Sequence, residues 1–277
     1  MSKSILLLTP PFTQLNTPYP ATAYIKGYLN LLGRTSFQYD LGLNVILRIF
    51  SKKGLTELFQ KIDKQNVKSL SQNSQRIVKL QDDYLHTITP VINFLQFKNP
   101  TIAYNICDGD FLPQASRFEL LDEMDWAFGT MGIQDKARHL ATLYLEDLSD
   151  LIQEALDPNF GFSRYAERLG RSAVSFDPLH DMLQGSPSFV DQYLFEELEI
   201  AIQESNPHAI CLSVPFPGNL YGSLRCGQYI KKHHPKIKVI MGGGYPNTEL
   251  RSLKEPRVFE YVDFITLDDG ERPLTNL

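Results

Sequence analysis

Short apolar runs near the two ends of the chain and long helical periodicities between them divide the sequence into three stretches. Ile5–Leu8 is a run of four apolar residues closed by a loop, Thr9–Pro20, rich in Pro, Thr and Asn, and it reads as a strand. Ala21–Leu32 then carries apolar residues at helical spacing, with Gly33 as the stop. Ser36–Leu41 reads as a second strand ending near Asp40. From 43 to 205 the period is helical throughout, in Val45–Ile62, Ser74–Phe97, Phe118–Phe128, Asp135–Leu156 and Ser188–Glu204. Pro90, Pro100, Pro113, Pro158, Pro178 and Pro187 are expected to punctuate it, because proline lacks the amide donor and clashes inside a helix.

The strand and helix rhythm then resumes. Ala209–Val214, Lys238–Met241 and Val262–Leu267 read as strands, Leu220–His233 as a helix, and Asn247–Lys254 as a short one. Strands separated by helices pair in parallel through right-handed crossovers. The predicted fold is therefore α/β, a flavodoxin-like doubly wound parallel five-stranded sheet with a long all-helical insertion between strands 2 and 3. Its parts are residues 1–42, the insertion 43–205, and 206–277, which completes the sheet.

Composition narrows the function classes. The chain has 277 residues, 43% of them hydrophobic, enough for a core without covalent staples. Lys+Arg 27 against Asp+Glu 32 leaves a net charge of -5 and no basic field for a nucleic-acid backbone. No apolar run approaches the about 20 residues of a membrane-spanning helix. The start of the chain lacks the pattern of a signal peptide, so a cytoplasmic protein is expected. Cys107, Cys211 and Cys226 are scattered, neither a disulfide framework nor a metal-ligand spacing.

Ligands of doubly wound sheets bind outside the carboxyl ends of the strands, which directs attention to the loops there. The triplet Gly242-Gly243-Gly244 either lets backbone approach a bulky ligand or simply makes a turn. Ser213 ends the third strand with its hydroxyl at the same edge, and the turns Thr9-Pro10-Pro11-Phe12 and Val214-Pro215-Phe216-Pro217 would wall the cleft. Asp268, Asp269 and Glu271 share one edge loop and read as a solvated acidic turn or as acid-base groups. Neither Gly-x-Gly-x-x-Gly nor a phosphate-binding Gly-x-x-x-x-Gly-Lys-Ser/Thr follows the first strand, and the acidic residues of a phosphoacceptor receiver are missing.

Four segments together carry a family resemblance: Leu-Leu-Leu-Thr-Pro-Pro-Phe12, the Ser213 strand, Met-Gly-Gly-Gly-Tyr-Pro-Asn247, and Val-Asp-Phe-Ile-Thr-Leu-Asp-Asp-Gly-Glu-Arg-Pro-Leu274. They resemble the cobalamin (B12)-binding domain that precedes the barrel of many radical SAM proteins, over residues 3–41 and 207–277. The resemblance implies that Ser213, Val214 and Pro215 meet the cofactor's nucleotide tail. It also implies that Gly242, Gly243, Gly244 and Tyr245 make room for that tail, and that Thr9, Pro10, Pro11 and Phe12 face the corrin. It assigns the 4Fe-4S iron-sulfur cluster and S-adenosylmethionine to a downstream barrel, the expected partner in the same full-length protein. Methionine-synthase-like domains place Asp-x-His-x-x-Gly after the first strand, whereas here no histidine precedes His86, so no axial histidine is expected from that loop. His180, in Asp177-Pro-Leu-His180, has the wrong spacing and reads as a surface or core histidine. The Cys-x-x-x-Cys-x-x-Cys spacing of the cluster does not occur in this chain, so the chain is not expected to be catalytic alone. The alternative reading is a non-catalytic interaction or sensing module that has lost cobalamin. The insertion carries no nameable motif, and its aromatic residues Phe94, Phe97, Trp126 and Phe128 read as core or as a cap over the cofactor.

Overall fold

A computed structural model describes residues 4–12, 19–62, 67–119, 132–162, 167 and 175–276. The chain forms two compact units, Met1–Val45 with Asn159–Leu277, which carries the sheet, and Ile46–Pro158. In the first lie β1 (Ile5–Thr9), α1 (Ala21–Leu31) and β2 (Ser36–Asp40), after which α2 (Leu41–Ile49) leads into the second unit. There follow α3 (Lys52–Lys61), α4 (Gln72–Lys79), α5 (Gln81–Leu95), α6 (Ala103–Cys107) and α7 (Gly132–Ala155). Back in the sheet-bearing unit come α8 (Asp177–Gln184), α9 (Phe189–Ser205), β3 (Ala209–Ser213), α10 (Leu220–His233), β4 (Lys238–Gly242), α11 (Gly244–Glu249), β5 (Phe264–Ile265) and α12 (Glu271–Asn276).

The five strands are all parallel in the order β2-β1-β3-β4-β5. This is the flavodoxin-like arrangement expected from the pattern, with the order reversing between β1 and β3. Register places Leu7, Cys211 and Ile240 in one row across the sheet and Ser213 beside Gly242 in the next row on the same face. Since side chains alternate, the other face carries Leu6, Leu8, Ile210, Leu212, Val239 and Met241, each at most 1% exposed. Gly33 ends α1 at φ 68, and Arg34 N reaches back to Leu29 O at 2.9 Å, a left-handed close that favours glycine.

Helix α9 begins with reciprocal caps: Asp191 N donates to Ser188 Oγ (3.1 Å) and Ser188 N to Asp191 Oδ2 (3.0 Å). The same buried carboxylate accepts from the Tyr221 hydroxyl at 2.7 Å and pairs with Arg225 at 3.0 Å. Arg225 also donates to the Leu183 and Met182 carbonyls that end α8, so one guanidinium ties α8, α9 and α10 together. The stretch 159–205 thus belongs with the sheet, because α9 is the crossover that delivers β3 and packs on β1 and α10.

Within the second unit, α7 buries Ala137, Leu140, Ala141, Tyr144, Leu148, Leu151 and Ile152 at helical spacing. The run Ser74–Phe97 divides at Leu80 into α4 and α5, and Val45–Ile62 divides at Phe50–Ser51, where Ser51 caps α3. Pro90 does not interrupt the helix as expected but lies inside α5, whose stripe Tyr84, Ile88, Val91 and Phe94 is fully packed. Phe94 is core while Phe97 is 73% exposed under the Arg138 guanidinium. The expected helix Phe118–Phe128, with Trp126, falls almost wholly outside the described residues.

Candidate functional site at the carboxyl edge of the sheet

At the carboxyl end of β1 the described start of the loop packs against the protein. Thr9, Pro10, Pro11 and Phe12 are all buried. Asn219, at the start of α10, donates its Nδ2 to Pro10 O at 2.9 Å. Gly222 allows the same loop to lie on α10, since a Cβ there would sit 2.9 Å from Pro11 O. Phe12 meets Phe160 edge to face at 6.0 Å. Through these contacts the loop after β1 braces the start of α10.

An opening of about 130 Å³ lies on the α1 side of the sheet. Its floor is the alternating face of the strands: Leu7, Cys211, Ser213, Ile240, Gly242 and Thr266. Ala21, Thr22 and Ile25 of α1 form one wall, and Asp268, Gly270 and Leu274 the other. The floor is apolar toward the middle of the strands and turns to small and hydroxyl residues at the carboxyl end. Burial pushes the Cys211 thiol up to about 12, so it lines the opening as a protonated thiol. Asp268 pairs with Arg251, and Glu271 accepts a hydrogen bond from the Tyr24 hydroxyl of α1.

Of the residues singled out in the sequence, Ser213, Gly242 and Gly243 line this opening. Val214, Pro215, Gly244 and Tyr245 do not, and they build its support. Val214 N donates to Gly242 O (2.7 Å) and Tyr245 N to Val214 O (3.0 Å). Gly243 has φ 112, and a Cβ on it would fall 2.8 Å from the Val214 backbone. A Cβ on Gly244 would lie 3.1 Å from Pro215 O, and one on Gly242 would lie 2.3 Å from Thr266 Oγ1. The space beside the triplet is therefore taken by the protein's own neighbouring loop, and the glycines act by letting two loops touch. Tyr245 is 7% exposed, and burial raises its phenol.

Sequence reasoning missed α1 and Thr266. The signal was present in the alternation, because Leu7, Cys211, Ser213, Ile240 and Gly242 share a face once register is known. Register, however, is not legible before pairing. His180 is half-buried, its Nδ1 2.8 Å from the Tyr261 hydroxyl. Among the described residues no group of three or more His, Cys, Asp or Glu is placed to hold a metal ion, and no helix is long and apolar enough to cross a membrane. Comparison with protein-family models, curated proteins and solved structures finds no match.

Proposed function

We propose that the sheet-bearing unit holds cobalamin, as the cofactor-bearing part of a radical SAM enzyme whose iron-sulfur cluster and S-adenosylmethionine belong to a downstream barrel. The observation that carries the reading is the opening on the α1 face, where an apolar floor ends in Ser213 and Gly242. Such a surface suits a flat, bulky, mostly neutral group with a hydrogen-bonding edge better than a phosphate, which would call for glycine-cradled amides or basic side chains. Leu7, Cys211 and Ile240 would lie beneath the tail, Ser213 would supply a hydroxyl contact, and Gly242 and Gly243 would pass close to it. Cobalamin would supply methyl transfer or other radical chemistry, and this chain's residues bind and orient it in a reducing, cytoplasmic setting. An opening of about 130 Å³ is smaller than the roughly 300 Å³ at which small-molecule sites begin. Binding therefore requires one wall to move.

The test is direct. The purified chain is mixed with hydroxocobalamin or methylcobalamin and desalted. Retention of corrin absorbance at one equivalent is expected. Loss of all absorbance would favour the alternative, a non-catalytic interaction module. For that alternative the sheet-bearing unit offers exposed apolar side chains at Tyr24 (68%), Leu31 (87%) and Phe37 (40%).

A further inference from the structure

We infer that residues 268–276 form a hinged cover over the opening on the α1 face, latched by Arg251, and that a ligand reaches the sheet only when this cover lifts. The inference deepens the reading of that opening as a ligand site and rests on it.

The segment is attached in a different way from the rest of the unit. Hydrogen bonding to the sheet reaches Thr266, whose N donates to Met241 O at 2.8 Å. From 268 to 276 no side chain is buried. Polar contacts hold its two ends, and between them Tyr24 of α1 hydrogen-bonds Glu271. At the near end, Asn247 Oδ1 accepts from Asp268 N (2.9 Å) and from Arg251 Nη2 (2.8 Å). Arg251 also donates through Nε to Asn247 O at 2.8 Å and pairs with the Asp268 carboxylate. At the far end, the Tyr28 and Thr275 hydroxyls lie 3.0 Å apart.

Between these ends, Gly270 and Leu274 face the opening. Gly270 rests on α1 so closely that a Cβ would lie 2.8 Å from Ile25 Cδ1. Asp268 is held at φ 64, a conformation an aspartate keeps only while neighbours fix it, and the neighbours here are Asn247 and Arg251. Breaking the latch thus frees the backbone at the point where the cover leaves the sheet. Exposed ion pairs and hydroxyl contacts are weak, and segments held by them open far more often than the core unfolds. The opening beneath is too small for a bulky cofactor as closed, and this wall is the one without buried apolar anchors.

The test uses the chain's own thiols and no cofactor. Cys211 is half-buried on the floor beside the cover, whereas Cys226 is fully buried in α10 and is reached only when the unit unfolds. The full chain is pulsed with N-ethylmaleimide, and the two cysteines are resolved by peptide mass spectrometry. Cys211 should label faster than Cys226, and R251A should speed Cys211 roughly fivefold, the worth of one exposed ion pair, without changing Cys226. Y28F, at the far end, should act in the same direction. Equal rates at the two cysteines in the unaltered chain would overturn the cover. So would an R251A variant that leaves Cys211 unchanged or speeds both cysteines together. Because no corrin is present, the cover stands or falls separately from cobalamin binding. Retained cobalamin with unchanged labelling would keep the site and remove the cover.

Discussion

The two faces of the sheet are built from the same strands and finished differently. On one face Leu6, Leu8, Ile210, Leu212, Val239 and Met241 are sealed, with the crossover helices α9 and α10 fastened by the Asp191–Arg225 pair. On the other, Cys211, Ser213, Gly242 and Thr266 remain partly exposed, covered by α1 and by a short polar segment. Parallel sheets normally bury both faces. The open face, with the Ser213 and Thr266 hydroxyls at its carboxyl end, is the one to which the proposed function assigns the ligand.

The comparison breaks first on stability. Leu8→Ala on the sealed face should cost about 2–5 kcal/mol in chemical denaturation, since it opens a cavity among side chains that cannot collapse. Ser213→Ala on the open face should cost within about 0.5 kcal/mol. Equal losses at the two positions would mean that both faces are core.

The helical unit sharpens the contrast, because there a carboxyl is buried away from the opening of about 410 Å³ that this unit carries beside Arg76, His86 and Asp110. Asp147 is fully buried, with Oδ2 lacking a partner, and burial raises its carboxyl to about 6. Arg117 N and Asn73 Nδ2 donate to its other oxygen, each at 3.4 Å. Tyr84 faces it with an unpaired hydroxyl, and Asp150 and the Arg117 guanidinium act on it from nearby. A carboxyl whose folded value lies above its unfolded one stabilises the fold when protonated. That contribution is full below about 4 and is lost as pH rises through about 6, a change of up to about 3 kcal/mol. Asp147→Asn should therefore flatten the stability profile between pH 4 and pH 7. A profile as steep as that of the unaltered chain would assign the titration elsewhere.

The smallest effect in energy is the most specific in function. Ser213→Ala should weaken cobalamin retention about tenfold, the worth of one hydrogen bond at a buried edge, with thermal unfolding unchanged. Unchanged retention would remove Ser213 from the site.

Much of this architecture was legible in the chain. The strand and helix alternation placed all five strands within a few residues, and Leu220–His233 matches α10 end to end. Pro90 misled because tertiary packing along α5 outweighs one missing amide. The glycine triplet sits at the carboxyl end of β4, as its place after the fourth apolar run implied. Its missing side chains admit the Val214–Pro215 loop, a contact between segments some thirty residues apart that no local pattern announces. The α1 wall was not legible, since which strand face a helix covers follows from crossover and register.

The most direct test of the account fills the open face and leaves the sealed one alone. Ile240→Trp places an indole on the floor of the opening, and hydroxocobalamin binding is then followed by equilibrium dialysis beside the unaltered chain. One corrin per unaltered chain and none on a folded Ile240→Trp variant is the predicted result. Equal binding by the two chains, or none by either, would contradict the assignment of the site.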